Sequence, residues 1–248
     1  MDELQEFKFN NIYELADLID NSVKADVQFW NYDTDFFINA ATKFSKDSLL
    51  HLYIVTTAFN YYRRDFRKNG DMLDENSIEK WYSLFDNYDI EIDEFEFDGD
   101  SEIIDWFINN EEKFEALFNY MADEVFYILF ANRQFLLDFN NLAVETVKEI
   151  DFPKNLISSK GTIKRIAIPK WVKTAVYHRE KGRCVFCNTD LTGLVNTLTN
   201  SNYDHIVPLD LFGTNDPCNI QLTCEKCNKS KTNKSGKTSS KYIPWWTK

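Results

Sequence analysis

Apolar positions recur at three- and four-residue steps through most of the first 150 residues. Leu50, Tyr53, Ile54, Thr57 and Tyr61 make one series, and Phe114, Leu117, Phe118, Met121, Val125 and Leu129 a second. Leu136, Phe139, Ala143, Val147 and Ile150 make a third. A step averaging 3.6 places each set on one face of a helix, so the region to about Ile150 is predicted helical, each stripe turned to a core. Asp33, Ser45 and Asp74 stand where a side-chain oxygen can cap a helix start. Between Asp89 and Asp100 the pattern changes. Ile90 and Ile92, then Phe95 and Phe97, alternate with acids, which predicts a short strand or an extended loop, with the register broken between Ile92 and Phe95.

Beyond Ile150 the helical period stops. Pro153, Ser158, Ser159, Gly161 and Pro169 punctuate a connector over 151–168, in which Ile166 and Ile168 alternate and Ile163 is out of phase. A short helix is predicted from Trp171 to Arg179, opening near Pro169 and ended by Gly182. Tyr203, Ile206 and Val207 favour a strand that puts the neighbours Asp204 and His205 on opposite faces. Turn formers follow through Gly213, Asn215, Asp216 and Pro217, and Asn219 to Lys231 reads as partly helical. The fold class is α+β: a mainly helical region over 1–150, a linker over 151–168 and a small domain over 169–248.

Charge sharpens that division. From Lys160 onward 15 Lys and Arg stand against 6 Asp and Glu, a net of +9, whereas the residues before it carry 13 against 34, a net of −21. A basic region suits a polyanion; an acidic one suits a basic partner or a solvated surface. Of the 39 aromatic residues, 31 precede Lys160, which points to a large aromatic core, with an exposed aromatic-acidic docking surface as the alternative. Hydrophobic residues make up 44% of the chain, which excludes a disordered protein. No apolar run is long enough to span a membrane and no leader pattern opens the chain, so the expected location is the cytoplasm.

Four of the five cysteines form two CxxC pairs, Cys184/Cys187 and Cys224/Cys227. Two residues between cysteines let both thiolates of a turn face one ion, and two such turns close a tetrahedral sulfur site suited to a structural zinc. All four coordination positions are then filled by protein, so this ion scaffolds and does no chemistry. Cys218 is expected to be a small buried residue with no ligand role.

Cys184-x-x-Cys187, Asp204-His205-Ile206-x-Pro208, Asn219 and Cys224-x-x-Cys227-Asn228-x-x-Lys231 occur in one order that resembles the HNH endonuclease family in its four-cysteine form. The resemblance covers about Pro169 to Lys231. It implies a ββα-metal fold, a hairpin and a helix around one divalent ion, acting on nucleic acid. It further implies His205 as the general base for the attacking water and Asp204 as a metal ligand. Asn228 would bind the same metal, and Asn219 would hold the His205 loop through its amide. Oxygen donors from Asp204 and Asn228 favour magnesium or manganese. Asn228 stands where many of the family carry histidine.

Lys229, Lys231 and Lys234 sit beside the last cysteine pair and are candidates for phosphate contact. Trp245 and Trp246 are expected to pack back on the chain. His178 reads as a solvated helix position and His51 as a satisfied core or boundary residue. The function expected from these readings is hydrolysis of a nucleic-acid backbone, DNA foremost, as the effector of an anti-phage defence or mobile-element system. RNA is a second substrate class, and a non-catalytic zinc module that binds nucleic acid or protein is the reading from another class. The acidic region would then dock a protein partner or cover the basic face of the small domain; a second copy of the chain is a further partner to consider.

Overall fold

The structure is a computed structural model, and it describes residues 6–95, 102–194 and 202–244. Phe97, Asp100, Trp245 and Trp246 lie outside those residues. The described part is mostly helical with one two-stranded sheet, an α+β chain. Among the described residues, no helix is long and apolar enough to cross a membrane.

The three stripes become three helices: α3 (Leu49–Asn69), α6 (Glu111–Leu129) and α7 (Arg133–Glu149). Every member of the second stripe is buried; in α3, Leu50, Tyr53 and Ile54 are buried while Tyr61 stays exposed. Shorter helices fill the rest of this region: α1 (Ile12–Lys24), α2 (Thr34–Thr42), α4 (Glu75–Asn87) and α5 (Ile103–Asn109). Asp33 caps α2 by accepting from Phe36 N–H, and Asp74 caps α4 by accepting from Ser77 N–H, each at 2.9 Å. Ser45 caps nothing, because α3 starts only at Leu49. Residues 90–95 form no strand.

The chain divides into two compact units. One holds residues 1–22 and 51–128, the other 23–50 and 129–248. The first has an aromatic core. Phe114 packs edge-on to Phe85 at 4.9 Å and to Trp106 at 5.3 Å between ring centres, and Phe66 meets Phe107 at 5.2 Å. Glu124 is buried there and its carboxylate accepts the backbone N–H of both Lys8 and Phe9, which ties the chain start to α6. His51 stacks on Phe126 at 4.2 Å and lies 3.5 Å from Asp123, a boundary residue with partners.

The second unit carries α2, α7, α8 (Lys170–Arg179), β1 (Tyr203–His205), β2 (Ile220–Leu222) and α9 (Glu225–Lys231). Gly182 ends α8 with φ +65°, its N–H donating to Tyr177 C=O. The strands pair antiparallel, with Tyr203 opposite Leu222, Asp204 opposite Gln221 and His205 opposite Ile220. Residues 219–231 are thus partly helical, as expected, with α9 over their second half, while 220–222 form the second strand of the hairpin that the resemblance implied. The core beneath the sheet joins Val172 and Val176 of α8 to Tyr203, Ile220, Leu222 and Cys184.

Compactness and charge divide the chain at different places. Segments from the acidic half hold up the loop between the strands. Asn215 N–H donates to Ala41 C=O and its amide to Thr42 C=O, Asn140 of α7 donates to Cys218 C=O, and Leu49 N–H donates to the Asp216 carboxylate at 2.8 Å. Asp216 also accepts from Cys218 N–H at 2.7 Å.

Burial raises the Asp216 carboxyl from its ordinary 3.8 to about 6, against the lowering effect of the two N–H donors. The folded value lies above the unfolded one, so the neutral form is favoured by folding. Its contribution to stability is full below about 3.8 and is lost as pH rises through about 6. A shift of this size corresponds to roughly 3 kcal/mol. Asp216→Asn does not titrate, although it costs one N–H acceptor at every pH. Urea unfolding of both proteins at pH 4 and pH 7 should therefore show the variant gaining on the unmutated protein at the higher pH. An equal difference at the two pH values would mean that Asp216 ionises normally in the fold.

Candidate functional site

The four thiols come together at one end of the small sheet. Cys184 and Cys187 belong to a knuckle after α8, in which Asn188 takes a left-handed backbone and its N–H closes on Cys184 C=O. Val185 N–H donates to Leu222 C=O, docking the knuckle on the end of β2. Cys224 caps α9 and Cys227 lies in its first turn. The four sulfurs lie within 4.8 Å of one another, and Cys187 Sγ is 3.7 Å from Cys224 Sγ. A zinc–sulfur bond of about 2.3 Å in a tetrahedron requires sulfurs about 3.8 Å apart. The donor set and its spacing therefore fit zinc. Thr189 lowers the Cys187 thiol through a hydroxyl contact at 3.0 Å, while burial raises those of Cys184 and Cys227. Among the described residues this is the one cluster of three or more His, Cys, Asp or Glu with metal-ligand spacing. Cys218 is fully buried and stands outside it.

Asp204 and His205 occupy opposite faces of β1. His205 shares the buried face with Tyr203, Ile220 and Leu222, and only 1% of it is exposed. Neither ring nitrogen has a hydrogen-bond partner of normal geometry; the amide of Asn215 is near enough to be felt but does not close on the ring. Burial first, then the cations of Arg165 and Lys231, lower the imidazole to about 3, so it is neutral near pH 7. Two lone buried nitrogens are a polar liability unless something else occupies them in use.

Asp204 faces the other way, beside Gln221. Its Oδ2 accepts from Lys231 Nζ at 2.9 Å and from Gln221 Nε2 at 3.1 Å. Lys231, at the end of α9, also donates to His205 C=O at 2.6 Å, and its side chain is 2% exposed. Its ammonium is engaged inside the protein, unlike those of Lys229 and Lys234, which lie on the surface. Gln221 and Arg165 are site residues that the motif pattern did not single out. Gln221 becomes visible only through the strand register, and Arg165 sits in what reads as a connector.

Asn219 is fully buried just before β2. Its Oδ1 accepts Val207 N–H at 2.8 Å, and its Nδ2 donates to Val207 C=O and Thr214 C=O, each at 2.9 Å. One side chain thus pins both limbs of the 206–219 loop, two residues from His205. Gly213 completes the bend, because a Cβ there would meet Val207 O at 2.1 Å. Asn228, in the second turn of α9, is half-buried, with its N–H on Cys224 C=O.

A cation held by Asp204 and Asn228 would find one carboxylate oxygen already shared by Lys231 and Gln221. Magnesium commonly takes one or two carboxylates and completes its shell with water and substrate phosphate, so Asp204 and Asn228 are donors of the right type, and Asp204 would have to release Lys231 to take such an ion. The arrangement offers a neutral imidazole on one face of β1 and, on the other, a carboxylate paired with a lysine, on a frame set by four thiols.

No curated protein and no solved structure matches the chain. A family model described as HNH endonuclease matches residues 184–234, about a fifth of the chain, and that segment runs from the first cysteine of the thiol cluster through β1, β2 and α9.

Proposed function

We propose that the second unit is a metal-dependent nuclease that hydrolyses the phosphodiester backbone of nucleic acid, DNA foremost. The observation that carries this is that Asp204, His205, Asn219 and Asn228 all lie on or beside one β1–β2–α9 frame, inside the segment that matches the HNH endonuclease model. His205, neutral near pH 7, accepts the proton of the attacking water. Asp204 and Asn228 would hold magnesium or manganese, which would supply positive charge at the phosphate. Asn219 keeps the His205 loop in shape, and the zinc of the four cysteines fixes α9 against β2. The acidic region would dock a partner that delivers the nuclease, as in a defence or mobile-element system, or restrain it.

The His205 ring is buried, which weakens it as a base, and Asp204 is paired with Lys231, so cutting requires a rearrangement that exposes the ring and frees the carboxylate. The same pair favours a second reading, a zinc module that binds nucleic acid or protein without cutting.

His205→Ala decides between them. The ring makes no hydrogen bond of normal geometry, its one polar neighbour being the Asn215 amide, so the substitution removes little polar contact. Zinc content and DNA binding should be kept, while cleavage in magnesium or manganese falls by about 10²- to 10⁴-fold, the share of a general base. Cleavage that persists in the variant would rule out the mechanism. An unmutated protein that binds but never cuts would establish the second reading. The same assay with an RNA strand separates the two substrate classes.

A further inference from the structure

The residues between α7 and α8 build a cavity of their own. Ile157 and Ile163 pair as a bridge, Ser158 N–H donates to Thr162 C=O at 2.7 Å, and Gly161 turns the chain at φ +79°. This tight turn walls a cavity of about 470 Å³ whose other side is Leu209, Asp210 and Asn233. Leu209 and Asp210 belong to the loop that follows His205, and Asn233 follows α9.

The lining has one chemistry. Lys160, Lys164 and Arg165 bring three cations, and Ser158, Ser159 and Thr162 bring three hydroxyls. The opposing charge is Asp210, which lies 3.8 Å from Lys160 Nζ and accepts from Asn233 at 3.0 Å. Lys164 Nζ donates to Asn155 C=O, so its ammonium is partly engaged. A net positive, hydroxyl-lined recess is a seat for a phosphate group, matching its charge and its acceptor oxygens. Through Leu209 and Asp210 it abuts the loop that follows His205. This turn lies outside residues 184–234, and the lysines around α9 do not line it.

We propose that this recess, walled by residues 158–165 and the Leu209–Asp210 turn, seats a backbone phosphate of the nucleic-acid strand and so leads that strand to the His205 loop. The inference rests on the nuclease reading for its choice of ligand. Lys160 and Arg165 supply the charge; the Ser158 and Thr162 hydroxyls bond each other at 3.0 Å, so one of that pair and Ser159 supply donors that read no base.

The test uses the full chain, a labelled DNA oligonucleotide and magnesium-free buffer, with affinity read by fluorescence anisotropy at several salt concentrations. Lys160→Ala/Arg165→Ala should bind at least tenfold more weakly, with the log–log salt slope reduced by about 1. Ser159→Glu, at an exposed turn position, places an anion in the recess and should weaken binding as much while keeping zinc content and melting temperature. Binding within twofold of the unmutated protein in both variants would overturn the proposal. So would a loss confined to a Lys229→Ala/Lys234→Ala comparator. Inorganic phosphate alone is the other arm: a phosphate-dependent rise in melting temperature that needs Lys160 and Arg165, with DNA affinity unmoved, would make this a free-oxyanion site and overturn the strand assignment. Cleavage is scored separately. Recess-dependent binding without cutting would remove the hydrolytic reading and leave the recess; cutting with recess-independent binding would do the reverse.

Discussion

Replacing Cys184 by serine should leave the protein without zinc and without a folded second unit, the largest single effect expected anywhere in the chain. Cys184 is a cluster ligand and also part of the core, packed with Val172, Val176, Leu191 and Leu222. The secondary structure around the cluster cannot stand alone. The two strands have three residues each and α9 has seven, well short of the length at which a helix or a hairpin is stable in water. The ion joins the knuckle to α9 and so offsets the ordering of both. Binding free energies for structural zinc, about 10–16 kcal/mol at neutral pH, are comparable with or larger than the roughly 5–15 kcal/mol that holds a domain together. Metal analysis of purified protein should give one zinc per unmutated chain and none in Cys184→Ser, with loss of the cooperative unfolding transition. Cys218→Ser is the control, since Cys218 lies outside the cluster, and it should keep its zinc. Full zinc in Cys184→Ser would mean that three cysteines suffice and that the site is not a closed tetrahedron of four thiolates.

What could be read in advance follows from the range of the interactions. A helix stripe such as Phe114 to Leu129 is local, and a CxxC pair is local too, so both were visible as patterns. The strand at Ile220 shows no period of its own, because it has three residues and its pairing with β1 crosses a 14-residue loop; only the ordered motif, through the hairpin it implies, points to it. The supports of that loop were hidden further still. Leu49, Ala41 and Thr42 reach it from more than 160 positions away, and their backbone groups carry no residue-type signal. The charge count also misled locally. Lys231 belongs to a run of lysines that reads as a phosphate-binding surface, but one turn of helix carries it inward to Asp204 and His205 C=O. The same buried geometry explains the isolated His205: a motif gives the residue type, while its exposure depends on which strand face meets the core.

Asn219→Ala should lower stability and activity together, and that joint loss separates it from His205→Ala. The Asn219 amide makes three hydrogen bonds with backbone groups of Val207 and Thr214, all in the interior. Alanine leaves one N–H and two C=O groups without partners. At about 1–3 kcal/mol for each buried orphan, with partial relief from water entering the gap, the expected loss is about 4 kcal/mol, a large share of what a domain has. The loop that then loosens begins one residue after His205, where Gly213 lies so close to Val207 that no side chain would fit between them. Under conditions where the variant is still folded, at low temperature and with zinc content verified, cleavage should fall through kcat, because the imidazole and Asp204 are no longer held in one geometry. Asn219→Asp keeps the acceptor for Val207 N–H but loses both donated bonds, and it should show the same stability loss or a greater one. Substitution of His205 predicts the opposite signature, a folded protein that does not cut. If Asn219→Ala proved as stable as the unmutated protein while cutting normally, the loop would have to be held by the backbone contacts of Asn215 and Asp216 alone, and Asn219 would have no positioning role.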